Sequence, residues 1–254
     1  MPPSPPAGVP ARKVFITGAS SGLGRGLALH YALNGAVVHA AARRQDELEN
    51  LAAEAPKGSI VPVRLDVQDH EALVAAIEAA GDLDLIIANA GIGQPTSARK
   101  MDWKVVRNIM DVNVTSACVT IAAALPRMVA RNSGHVVAVS SLAAFRGMPG
   151  SASYCASKAA LHTWMESVRV DLARTKVRAT TIYPGFVKTE MTAKNKVKMP
   201  FLMELSDAVK VMARGLDRGD KVIAYPLPMV AMVKALGAVP RGLYETMAGR
   251  ARLF

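Results

Sequence analysis

With 254 residues, 51% of them apolar and 20% charged, the chain has the make-up of one large folded α/β domain, which excludes intrinsic disorder and any need for disulfide or metal staples. Its net charge of +11 admits nucleic acid, an anionic membrane or an acidic small molecule as partner. The basic residues are scattered (Arg43, Arg44, Lys188, Lys194, Lys196, Lys198, then singly), aromatics make up 5%, and no zinc-ligand or helix-turn-helix spacing occurs, so no nucleic-acid partner is expected.

Residues 1–11 hold five prolines and no packable run, and are expected to be a disordered leader. They lack the apolar core of a signal peptide, and Cys118 and Cys155 have no close partner, so the expectation is a cytoplasmic protein with two buried free thiols. From residue 12 onward, short β-rich apolar runs alternate with helical patterns. Lys13–Thr17 is a predicted strand, and Gly22–Asn34 a helix with Leu23, Leu27, Tyr31 and Leu33 as its apolar positions. Strands follow at Ala36–Ala41, Ile60–Leu65 and Leu85–Ala88, with helices at Asp46–Glu54 and Asp69–Ala80 between them. A long helix ends near Arg131, His135–Val139 is a strand, Ser153–Arg174 a helix and Val177–Tyr183 a strand. From about Met191 the pattern becomes a loop, a helix Ser206–Gly215, a strand Lys221–Tyr225 and an apolar segment punctuated by proline.

Most strands are apolar throughout rather than alternating, as expected of a sheet covered on both faces and therefore parallel. Strand and helix alternating in this way predict a single-domain, doubly wound, Rossmann-like α/β fold over 12–254, with ligands beyond the carboxyl ends of the strands. The first strand runs into Thr17-Gly18-Ala19-Ser20-Ser21-Gly22-Leu23-Gly24 and then directly into a helix. Glycines allow a sharp turn and close approach to a pyrophosphate, and a helix N-terminus offers free N–H groups to its oxygens. In that strand–turn–helix context the loop is a candidate phosphate cradle.

The G-x-x-x-G-x-G spacing after Thr17 resembles that of the short-chain dehydrogenase/reductase family. So do Asn89-Ala90-Gly91 after the fourth strand, Ser140-Ser141 closing the fifth, Tyr154-x-x-x-Lys158, Asn113 in the long helix, and Pro184-Gly185-Phe186-Val187-Lys188-Thr189. The resemblance runs from Lys13 to about Thr192. It implies an oxidoreductase moving a hydride between a nicotinamide and a carbonyl or alcohol carbon of a small-molecule substrate, and assembled as dimers or tetramers. It assigns Tyr154 as proton donor or acceptor and Ser141 as the serine bonded to the substrate oxygen. It gives Lys158 the nicotinamide ribose and the task of lowering the tyrosine pKa, and Asn113 a relay water. Tyr154 and Lys158 are four apart and share a helix face, and a nearby cation favours a tyrosinate. The resemblance places Gly18, Ser20, Ser21, Gly22, Leu23 and Gly24 on the phosphates, Asp66 (with Val67) at the adenine amino group, and Asn89 beside the ribose. It places the Val187 backbone and the Thr189 side chain at the carboxamide.

An acidic residue ending the second strand would bind the ribose 2′-hydroxyl and repel a 2′-phosphate. By the family pattern Ala42 holds that position and Arg43 follows, so NADP is the expected cofactor, with Arg44 either adding to the field or solvated. None of the five histidines falls in a motif, and no catalytic metal is expected. Met199, Phe201, Leu202 and Met203 lie where the family has its variable lid, which leaves open an apolar substrate or simple lid packing. Met229, Val230, Met232, Val233 and Leu236 form one helical face that could cover the lid, pair subunits or rest on a membrane surface; prolines and Lys234 exclude a span. A non-catalytic NADP sensor and a membrane-surface protein are the alternatives to an enzyme.

Overall fold

The computed structural model describes residues 12–193 and 199–250. The proline-rich leader and Lys194, Lys196 and Lys198 lie outside the described residues. In chain order the elements are β1 (Lys13–Thr17), α1 (Gly22–Leu33), β2 (Val37–Ala42), α2 (Gln45–Glu54), β3 (Ile60–Arg64), α3 (His70–Ala79) and β4 (Leu85–Ala88). Then come α4 (Trp103–Met110), α5 (Ser116–Ala130), β5 (His135–Val139), α6 (Ala152–Asp171), β6 (Arg178–Pro184) and α7 (Glu190–Ala193). The chain closes with α8 (Leu205–Arg218), β7 (Val222–Tyr225), α9 (Leu227–Ala238) and α10 (Arg241–Arg250).

The seven strands form one parallel sheet in the order β3-β2-β1-β4-β5-β6-β7. The unbroken apolar strands are explained by its two covered faces. Val14 and Ile16 of β1, Leu85 and Ile87 of β4, and Val137 and Val139 of β5 point to one face, where Leu27 of α1, Leu48 of α2 and Met212 of α8 cover them. Phe15, Ile86, Val136 and Ala138 point to the other, under Leu73 of α3, Ile121 of α5 and Met165 of α6. The chain runs outward from β1 to β3 and then returns to β4 on the far side of β1. That reversal opens a crevice beyond the carboxyl ends of β1 and β4, where the glycine loop and Asn89 lie.

Three elements depart from the sequence expectation. The long helix is not continuous: α4 and α5 are joined by a π-helical turn, Asp111–Thr115. Hydrophobic periodicity is too coarse to show one extra residue in a turn. The segment near Met191 begins with the short helix α7 rather than a loop, and α10 follows α9 where no helix was predicted. The expected face of α9 is only partly used: Met229, Val230 and Val233 pack on Leu142 and Tyr183, whereas Met232 is exposed. The tail also reaches the loop after β5, because Arg146 lies 4.1 Å from the Tyr244 ring and the Tyr244 hydroxyl donates to the Gly147 carbonyl at 2.6 Å.

Candidate functional site

The glycine loop is held open by its neighbours. The Thr17 hydroxyl accepts from the Asn89 and Ala90 amides, both at 3.1 Å, and the Asn89 side chain donates to the Thr17 and Gly18 carbonyls at 3.0 and 3.2 Å. Gly18 has φ +68°, and a Cβ there would approach the Ala90 Cα to 2.8 Å; one on Gly24 would collide with Asn89 Nδ2 and the Gly18 carbonyl oxygen. The cradle therefore exists only with glycine at these positions. Ser21 begins α1 without a side-chain cap, and no acid occupies the first turn. The helix dipole and free N–H groups are thus available to an anion. A Gly24→Ala chain is expected to be less stable by about 1–3 kcal/mol, the usual cost of overpacking, read as a lower denaturation midpoint. An unchanged midpoint would show that the loop yields.

The Ala19 amide donates to the Ala41 carbonyl at 3.1 Å, tying this loop to the end of β2. Ala42 is the last residue of β2 and is buried. Arg43 is 71% exposed, 3.8 Å from Asp66. Arg44 is the better placed of the two. Its Nε and Nη2 donate to Ser20 Oγ at 3.3 and 3.2 Å, and its Nη1 is 3.2 Å from Glu190 of α7. The sequence left Arg44 open between ligand and solvent, since two adjacent arginines after a strand carry no signal of which turns back. Asp66 accepts from the Gln68 amide, while Asp69 caps α3 by accepting from Ala72; Val67 is buried in the core. Leu23 packs on the core from the second residue of α1.

A second group of residues gathers at the end of β5. Ser140 and Ser141 divide two jobs. The Ser140 hydroxyl donates to the Lys158 carbonyl at 2.9 Å and fastens α6 to the sheet. Ser141 starts a tight turn by accepting from the Ala143 amide at 3.1 Å, and its hydroxyl donates to the Pro184 carbonyl at 3.4 Å. Lys158 is 4% exposed; its Nζ donates to the Val139 carbonyl at 2.9 Å and lies 5.8 Å from the centre of the Tyr154 ring. Burial brings its pKa down to about 8.

The π-turn turns Asn113 inward, where it is fully buried. Its Oδ1 accepts from the Ile92 amide at 2.8 Å, and its Nδ2 donates to the Ile92 carbonyl and to Ser157 Oγ, each at 3.0 Å. Such turns recur at functional sites. A Cβ on Gly91 would lie 3.3 Å from Asn113 Oδ1 and 3.4 Å from Lys158 Nζ, so a small polar gap separates the two side chains. Lys158 is not among the groups that shift the Tyr154 pKa in this structure. Burial raises the phenol, and the nearby Ser141 opposes it. The ammonium faces the ring and the Val139 carbonyl, whereas the sequence spacing shows only a shared helix face.

Thr189 completes the site from the other side: its Cγ2 would lie 3.3 Å from a Cβ on Gly22. The loop holding it is braced by Met203, whose backbone pairs with Phe186 and Lys188 at 3.0 and 2.9 Å, and by Thr192, whose hydroxyl donates to the Val187 carbonyl at 2.6 Å. Of the candidate residues, Asn89 holds the glycine loop and Thr189 lies near Gly22, while Asn113 and Lys158 both border Gly91 and the Tyr154 ring lies near Gly93, in the loop that follows Asn89. His135 and His162 serve packing, hydrogen-bonded to Thr180 and Tyr183.

The arrangement has counterparts. The family model for short chain dehydrogenase matches residues 12–199. An uncharacterised oxidoreductase of Myxococcus xanthus is 50% identical over 247 residues, covering 95% of this chain and 98% of that protein. A short-chain dehydrogenase from Burkholderia cenocepacia in complex with NADP superposes with TM-score 0.81 at 28% identity, over 93% of this chain and 97% of that one. One from Sphingobium yanoikuyae in complex with NADPH gives 0.81 at 25%, over 95% and 96%. The chain is an oxidoreductase and belongs to the short-chain dehydrogenase/reductase family.

Proposed function

We propose that this chain is an NADP(H)-dependent carbonyl reductase or alcohol dehydrogenase of apolar substrates. The observation that carries the reading is the convergence of Ser141, Tyr154, Lys158 and Asn113 beside the glycine loop. The residues present fit the dinucleotide: a cradle that a Cβ would fill, an uncapped helix N-terminus, no carboxylate at Ala42, and two arginines following it. When bound, NADPH supplies the hydride. Gly18 through Gly24 hold its phosphates, Asp66 the adenine amino group, Asn89 the ribose side, and Val187 and Thr189 the carboxamide.

The protein's own work is to place the carbonyl and manage a proton. A carbonyl oxygen that met both the Ser141 and Tyr154 hydroxyls would find two donors for the charge developing on it. In the reducing direction the Tyr154 proton passes to that oxygen. Lys158 would hold the nicotinamide ribose, and with its pKa brought down to about 8 it can give up and regain a proton; the polar gap beside Gly91 suits a water joining it to Asn113. In the oxidising direction the same path runs backwards. Phe145 and Met148, between Ser141 and Tyr154, and Phe201 and Leu202, beside Met203, are exposed apolar side chains. They support an apolar substrate. Assembly as a homo-oligomer and a cytoplasmic location are part of the same proposal.

The test is a panel of ketones and alcohols from short to long chain, followed by absorbance of the reduced cofactor with NADPH and with NADH. Higher kcat/KM with NADPH and with longer chains is expected. Because a charge-assisted hydrogen bond contributes about 1.5–3 kcal/mol, the Arg43→Ala/Arg44→Ala pair should raise KM for NADPH roughly tenfold or more and leave that for NADH nearly unchanged. A wild-type preference for NADH would sink the cofactor assignment and leave the family standing.

A further inference from the structure

A cleft of about 560 Å³ opens at the amino ends of the strands, on the edge of the sheet opposite the glycine loop. Its volume falls within the range of small-molecule sites, about 300–1,000 Å³. The β-strands between the two edges are about five residues long, which separates them by about 15 Å. Four cationic residues line the cleft: Arg12 and Lys13 at the start of β1, Lys176 before β6 and Arg178 at its first position.

Arg12 is committed elsewhere. Its Nη1 lies 3.4 Å from Asp217, and its guanidinium is 5.2 Å from the centre of the Tyr31 ring. Lys13, Lys176 and Arg178 make no ion pair among the described residues. The two acids of the lining are also engaged. Asp84 accepts from the Lys13 backbone amide at 2.8 Å, and Asp82 lies 3.2 Å from Arg131. Three cations therefore face one carboxylate, Asp84, that has no ion pair of its own, a surplus of two positive charges in a concave wall.

That surplus reaches into the sheet. His135, buried next to Gly134 of the lining, is brought down to about 3 by burial and then by Arg178 and Arg12. His39 is lowered by burial and then by Lys13. Like charges gathered in a cleft focus the field and favour a counter-anion. One arginine, whose guanidinium lies against Gly219, and two lysines in the same lining offer donors suited to phosphate oxygens. The concave shape, the two acids on its wall and the lack of aromatic side chains in the lining do not suit a nucleic-acid strand or a flat membrane.

We propose that this cleft is a second ligand site, separate from the cofactor crevice, that takes a small molecule bearing a diphosphate group through Lys13, Lys176 and Arg178. The probe is inorganic pyrophosphate, titrated by calorimetry into the full chain without dinucleotide, because NADP⁺ and NAD⁺ carry diphosphates of their own; the glycine loop accounts for one site. One further site is expected, weakened by salt and weakened at least tenfold in Lys176→Gln/Arg178→Gln. Lys13→Gln serves as an independent variant, because the exchange leaves its backbone pairing in place; it should weaken binding severalfold. Absence of pyrophosphate binding, or binding equal in wild type and in both variants, would overturn the proposal. So would a chain that ignores pyrophosphate yet binds duplex DNA or anionic phospholipid vesicles through these residues.

Discussion

Tyr154→Phe is expected to lower turnover at least about a hundredfold, the scale of general acid–base catalysis, while cofactor binding survives. The exchange keeps the ring that packs beside Gly93 and removes only the hydroxyl. Because burial raises the Tyr154 pKa, the phenol holds its proton at neutral pH, which suits it to donate in the reducing direction. The oxidising direction needs the phenolate and should therefore gain rate as pH rises, more steeply than reduction does. Steady-state rates in both directions across pH, with dinucleotide binding followed by fluorescence, read the two effects apart. Near-normal turnover in a folded Tyr154→Phe chain would refute the assigned mechanism.

Lys158→Met should cost activity on a similar scale, yet stabilise the fold. The lysine is buried, and the cost of burying its charge takes its pKa from 10.5 to about 8, equivalent to about 3 kcal/mol. Methionine removes that penalty and leaves the Val139 carbonyl without its donor, which returns about 1–3 kcal/mol. The net gain is of the order of 1 kcal/mol, or about 2–4 °C in Tm for a chain of this size. Its pH dependence has a definite sign. Below about pH 8 the lysine is charged in both the folded and unfolded states, and the wild type bears the full penalty. Between about 8 and 10.5 the unfolded chain binds the proton and the folded chain does not, so the wild type gains stability as pH rises. The advantage of Lys158→Met should shrink over that window. A variant that is less stable at pH 7, with a pH profile parallel to wild type, would show that Lys158 is a structural residue. A loss of stability with activity lost would equally deny it a functional burial cost.

The parallel sheet was legible because burial on both faces leaves a direct mark on sequence. Val14, Phe15 and Ile16 are all apolar since each faces one of two covered layers. The glycine loop was legible for a related reason, because Gly18 and Gly24 occupy backbone positions that no side chain can share. The family resemblance put Ser141 with Tyr154 and Lys158, and of the three only the pair four apart on one helix follows from spacing itself.

Other features depend on contacts between segments far apart in the chain. The inward turn of Asn113 depends on one extra residue in a helical turn, to which hydrophobic periodicity is blind. Arg44 reaching Ser20, rather than Arg43, depends on how the end of β2 lies against the first loop. The rise in the Tyr154 pKa depends on enclosure by residues from several elements, and a four-residue spacing to a lysine contains no information about enclosure. The basic cleft is assembled from the loops before β1, β4, β5 and β6, whose cations look scattered along the sequence. The sequence by itself determined the layers, the order of elements and the cradle, because these follow from local periodicity and from backbone sterics. Only the tertiary structure decided which charges meet and which are buried, because Coulomb energies and desolvation depend on distance through space and on surrounding atoms.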